Sequence, residues 1–214
     1  MALTGLFLCL FLVGHLAGNL QLIFITGEEG QQAFNEYAQF MTTFPLVKIL
    51  SYLTYASVLF HVVDGIVLTM QNRKARPVGY VKENGAANAK WASRNMGILG
   101  TIILVFLVSH MQSFWYTMHF GDIPMHNGLK DLHTVVLQFF SPENSLGLVA
   151  VVGYVLAQMA VAFHLSHGVQ SGFQSLGVRH AKYTPIIELS GMGFALLVPT
   201  LFAIIPIFLY ITQL

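Results

Sequence analysis

Long stretches of this chain carry no charge, and that constrains the fold more than any other feature. Residues 1–27, 95–121, 144–178 and 189–214 contain no Asp, Glu, Lys or Arg, and Asp64 is the only charge between Lys48 and Arg73. A helix crossing the hydrocarbon core of a bilayer needs about 20 mostly apolar residues. Five such stretches predict five transmembrane helices, over 2–25, 46–71, 96–119, 146–176 and 186–211. The short, strictly alternating segments of a β-barrel are missing. Only 9% of the 214 residues are charged, against about 25% in a soluble domain, so lipid has to cover the rest of the surface. The expected fold is all-α: an integral membrane, up-down bundle of five helices, forming one domain over 1–214 with no linker. The first apolar stretch lacks a basic flank and is too long for the core of a signal peptide, so it reads as a retained helix.

The basic residues set the expected orientation. Arg73, Lys74, Arg76, Lys82, Lys90 and Arg94 follow the second helix, and Arg179 and Lys182 follow the fourth. The opposite side carries Lys48 and Lys130 against Glu28, Glu29, Glu36, Asp122, Asp131 and Glu143. The N-terminus is therefore expected on the cytoplasmic side of an inner membrane, and the C-terminus on the far side. A net charge of +1 gives no basis for nucleic-acid binding. The single cysteine, Cys9, excludes a disulfide framework and a cysteine-ligated cluster within the chain.

Ionisable residues inside spans are costly and point to function. His15, His61 and His110 lie in the first three predicted helices, His164 and His167 in the fourth, and none in the fifth. A lone buried histidine is readily explained as a core residue; one on each of four helices is not. Bis-histidine haem ligation accounts for the pattern, with two imidazoles from facing helices clamping one iron. Four ligands make two b-type haems, which must stack along the membrane normal inside helices one to four. Diagonal helices of an up-down bundle are parallel, so helices one and three hold one haem, through His15 and His110, and helices two and four the other, through His61 and either His164 or His167. At 1.5 Å per residue, His15 and His110 lie about 20 and 22 Å from the cytoplasmic end, and His61 about 16 Å. His164 lies at about 20 Å and His167 at about 15 Å. Depth therefore favours His167, whereas pattern favours His164. Phe60-His61-Val62-Val63-Asp64-Gly65 and Phe163-His164-Leu165-Ser166-His167-Gly168 share the form F-H-x-x-x-G, in which the glycine leaves room for a porphyrin.

These residues, with Gly14-His15, Ser93-Arg94 and Ser109-His110, resemble the cytochrome b anchor subunit of succinate dehydrogenase and fumarate reductase, in its single-chain, five-helix, di-haem form. The resemblance spans essentially the whole chain. It implies a membrane subunit of respiratory complex II, linked to the tricarboxylic acid cycle. A flavoprotein subunit and an iron–sulfur subunit would dock on the cytoplasmic face, with the basic loop from Arg73 to Arg94 as the natural platform. Electrons would pass between these partners and a membrane quinone, with menaquinone favoured by the di-haem form. Arg94 is the first candidate to pair with a haem propionate, ahead of Arg73, Lys90 and Ser93. In the family a glutamate near the start of the second helix is associated with a far-side quinone site, and Glu36 is its nearest counterpart. Some relatives carry a glutamate two residues before the fourth-helix ligand, where this chain has Ala162.

The remaining features have plainer readings. Asp64 reads as a carboxylate reaching for the interface, and His119 to His133 as a solvated loop. Trp91, Trp115, Tyr116 and Tyr183 read as an aromatic belt. Gly97, Gly100, Gly191 and Gly193 read as packing notches, and Pro199 and Pro206 as kinks in a fifth helix away from the histidines. Two other functions stay open: a cytochrome b anchor of a formate dehydrogenase or hydrogenase, and a proton-coupled transporter with a histidine relay.

Overall fold

The computed structural model describes residues 1–75, 78 and 85–214; Arg76 and Lys82 of the basic loop lie outside them. Five helices are long and apolar enough to cross a membrane: Ala2–Phe24, Pro45–Ala75, Met96–Phe120, Gly147–Ser175 and Thr184–Ile211. Together with the shorter helices they make an all-α membrane bundle, 81% helical. The boundaries fall within four residues of the sequence expectation at every end. The cause is elementary: without water to satisfy them, backbone groups in an apolar stretch close their hydrogen bonds within a helix.

The first four spans pack as a ring, first against second, second against third, third against fourth and fourth against first. The fifth lies outside the ring against the fourth and first, and neither diagonal pair is close-packed. Cross-contacts fix an antiparallel order. Gly5 of the first span meets His61 of the second, Gly100 of the third meets His164 of the fourth, and Gly191 of the fifth meets Val169 of the fourth. We call the end of the bundle that carries Met1 the near end and the opposite one the far end.

At the far end the expected loops fold further. Gly27–Thr43 is a helix of 17 residues, with Phe34 and Ala38 buried one turn apart. Gly27 turns into it with φ +69°, and Gly18 faces the ring of Tyr37 with no room for any side chain. Asn127 and Gly128 both have positive φ, 49° and 80°, the two-residue turn that Asn-Gly favours. It joins Met125–His126 to Leu129–Lys130 in an antiparallel hairpin. Helix Leu132–Phe139 follows, with Asp131 as N-cap accepting from Thr134 N–H. Asp131 is only 5% exposed and His133 half-buried, so this part of 119–133 is not the solvated loop expected.

Asp131 is the tie between these far-end pieces. Gln31 Nε2 donates to it at 2.7 Å and Asn35 Nδ2 at 2.8 Å, and Asn35 Oδ1 accepts from His133 N–H at 3.0 Å. Burial alone would raise the Asp131 pKa, but the donors from Thr134, Asn35 and Gln31 outweigh it and hold the carboxyl below its ordinary value.

The fifth span also differs from expectation. Pro199 and Pro206 lie buried inside an unbroken helix, Thr184–Ile211, and Phe202 between them packs on His15, with ring centroids 5.5 Å apart. This span is therefore part of the histidine surroundings. Gly191 is a packing notch, 3.1 Å from Val169 by its would-be Cβ, whereas Gly97 and Gly193 face open space.

Candidate functional site

The bundle brings the span histidines together across its diagonals. His15 and His110 face each other with ring centroids 5.8 Å apart and planes at 84°. His61 and His164 do the same at 6.2 Å and 69°. Metal–imidazole bonds of about 2 Å put two rings on opposite sides of one metal roughly 6 Å apart, centroid to centroid. Both pairs have that spacing, and their helices are diagonal, with no close backbone packing to close the gap.

The pairs lie at two levels. Gly5, against His61, and His15 are ten residues apart on the first span; Gly100, against His164, and His110 are ten apart on the third. Two independent helices thus put the levels about 15 Å apart along the bundle. The His61–His164 level is nearer Met1, and His164, not His167, is the partner of His61.

The Nδ1 atoms are engaged from behind. His15 Nδ1 lies 3.4 Å from Asn19 Nδ2, His110 Nδ1 3.3 Å from the Tyr154 hydroxyl, and His61 Nδ1 3.3 Å from Thr4 Oγ1. The Tyr154 and Thr4 hydroxyl oxygens can accept from Nδ1–H and leave Nε2 to a ligand, whereas the Asn19 amide nitrogen is a donor and also bonds the His15 carbonyl at 2.8 Å. Among the described residues no protein atom hydrogen-bonds an Nε2 of the four. His164 Nδ1 is buried without a hydrogen-bond partner, so this imidazole is held by packing alone. Small residues make the room. A Cβ on Gly5 would sit 3.1 Å from His61 Cε1, and one on Gly100 3.9 Å from His164 Cε1, while Gly14 and Gly168 beside the ligand positions face open space. Gly65 is filled instead by the Met1 side chain. The ring spacing fits one metal ion held between the two imidazoles of each pair.

Sequence reasoning missed several residues here. Phe11 stacks on His15 at 5.3 Å. Phe106, Phe114 and Tyr154 surround His110 at 5.6, 5.3 and 6.0 Å. Immediately after His110 the helix widens into a π-turn, Met111–Tyr116, a local form frequent at functional sites. Nothing in the composition marks that turn. Tyr154, a lone phenol eight residues into the predicted fourth helix, was a visible signal.

The other expected site residues lie apart from the pairs. Glu36 is exposed on Gly27–Thr43 and accepts from Gln32 Nε2 at 2.7 Å. Arg94 is exposed at the end of helix Trp91–Arg94, its side chain against Gly85. Asp64 is half-exposed and pairs with the Met1 ammonium at 2.6 Å. Trp115 Nε1 donates to the Tyr55 hydroxyl at 2.7 Å on the exposed surface of the bundle. Among the described residues no group of three or more His, Cys, Asp or Glu forms a compact metal site; paired axial ligands are a different arrangement. No protein-family model, curated protein or solved structure matches the chain.

Proposed function

We propose that the chain is the di-haem cytochrome b anchor of a succinate:quinone oxidoreductase. The observation that carries this is the pairing of histidines from four spans into two facing sets at two levels. His15 and His110 would hold one haem b, and His61 and His164 the other. Bound haem would supply reversible one-electron chemistry in the membrane. The protein's own part is to orient the imidazoles of His110 and His61 through Tyr154 and Thr4, and to exclude water with the aromatic residues around the far pair.

Arg94 is the proposed propionate partner and Glu36 the proposed far-side quinone contact, where a carboxylate open to water can hold and exchange a proton. The basic residues from Arg73 to Arg94 would receive the flavoprotein and iron–sulfur subunits from the cytoplasm, with the N-terminus on that side. Menaquinone is the favoured quinone. A single cysteine cannot ligate an iron–sulfur cluster by itself, so the enzyme would be the whole complex.

The test is to purify the chain with its co-expressed soluble partners and add succinate without oxygen. Reduction of a b-type absorption band by succinate supports the proposal. Reduction by formate or hydrogen alone would move the chain to another dehydrogenase. A well-folded chain without haem would point to a histidine proton relay.

A further inference from the structure

Among the described residues two buried side-chain atoms lack a hydrogen-bond partner, His164 Nδ1 and Gln158 Oε1. Gln158 stands inside the fourth span and is 9% exposed. An amide oxygen buried among apolar helices without a donor is costly, and the histidine pairs leave it unused. Its surroundings follow from its place on the helix. Val151, Gln158 and Leu165 are seven residues apart and share one face. Val151 packs in the cluster that holds Leu16 of the first span and Val198 of the fifth. Leu165 packs in the one that holds Leu12 and Ala195. Gln158, midway between them, therefore faces the wedge between the first and fifth spans. The fourth and fifth spans are antiparallel, with Gly191 against Val169. Eleven residues farther along each helix, Gln158 comes level with Phe202, the residue packed on His15.

His15 has the complementary deficit. With Nε2 turned to a metal, Nδ1 carries the proton and needs an acceptor. His110 and His61 have hydroxyl oxygens in that place. The group beside His15 Nδ1 is instead the Asn19 amide nitrogen, at 3.4 Å, which is a donor. One Asn19 N–H goes to the His15 carbonyl at 2.8 Å, and the amide has a second. We propose that Gln158 is a positioning residue for His15, acting through a single buried water. The water accepts from His15 Nδ1–H and from the second Asn19 N–H, and donates to Gln158 Oε1. Three partners are the usual number for a buried water. The bridge fixes the His15 tautomer, keeps Nε2 toward His110 and makes His15 the more basic ligand. This rests on the reading of His15 as an axial ligand.

The experiment uses the detergent-purified full chain beside Gln158→Met, which keeps the length of the side chain and removes its amide. Haem content, a redox titration and a thermal melt are read on both, with the far component identified as the one that His15→Ala loses. The expected variant keeps two haems, moves the far component to higher potential, leaves the near one in place and melts lower than wild type. Two haems with both potentials unmoved, or with both moved together, overturn the role of Gln158 and leave the cytochrome reading standing. A variant that melts above wild type overturns it as well, because replacing an amide that has no partner by an apolar group is stabilising. Haem absent from the wild-type chain sinks the cytochrome reading, and the melting temperature then decides the water bridge by the same signs.

Discussion

At the far level five aromatic rings, Phe11, Phe106, Phe114, Tyr154 and Phe202, surround His15 and His110. At the near level His61 and His164 meet a threonine hydroxyl and two glycines. The ligand type is the same, but the surroundings are not. The far level is braced by the fifth span and, beyond it, by the helices tied together at Asp131. The near level has the Met1–Asp64 ion pair and Lys90 close by. Burial and outer hydrogen bonds tune a metal centre as much as its ligands do. Haems held by two identical histidine pairs in such different settings would have different potentials.

The largest expected effect comes from Phe202→Ala. Removing a packed aromatic ring beside His15 should cost about 3 kcal/mol, read as a lower melting temperature in detergent. The loss should fall on the far level: His15–His110 loses its spectral signature while His61–His164 keeps its own. Equal damage to both levels would break the distinction.

Asp131→Asn comes next, at about 2 kcal/mol, because an amide cannot accept from Gln31, Asn35 and Thr134 together. The folded pKa of Asp131 is lowered, so its contribution is complete above the ordinary aspartate value near 3.9 and is lost as pH falls through the folded value. Wild-type stability should therefore drop in acid below about pH 4, and the variant should show a flatter acid limb in a pH series of thermal melts.

The smallest effects come from the outer hydrogen bonds. Tyr154→Phe should change the far component of a redox titration and leave the near one, and Thr4→Val should do the reverse. Each bond contributes about 1 kcal/mol or less, so both proteins should fold normally. A variant that moves both components together would show that the levels are not independent.

The spans were legible because the signal was physical and strong: a charge gap of the right length leaves a helix little alternative. The pairing was legible for the same kind of reason, since up-down order fixes which helices are diagonal. His164 over His167 followed from the F-H-x-x-x-G pattern, while depth favoured the other residue; helix ends uncertain by a turn cannot decide between two histidines one turn apart. Helix Gly27–Thr43 carried its own signal, with Phe34, Tyr37, Ala38 and Met41 at helical spacing, and its polar composition hid it. The hairpin was written in Asn127-Gly128. Phe202 on His15 was not legible. Where the fifth helix settles around the ring of four depends on side-chain packing, as Gly191 against Val169 shows, and apolar stretches look alike in sequence.

Whether four histidines hold two separate haems is decided by haem content and a redox difference spectrum on the purified chain, beside His15→Ala and His61→Ala. Two b-type haems per chain are expected, with each variant losing a different one and keeping the other. A folded chain with no haem, or two variants that lose the same component, would contradict it.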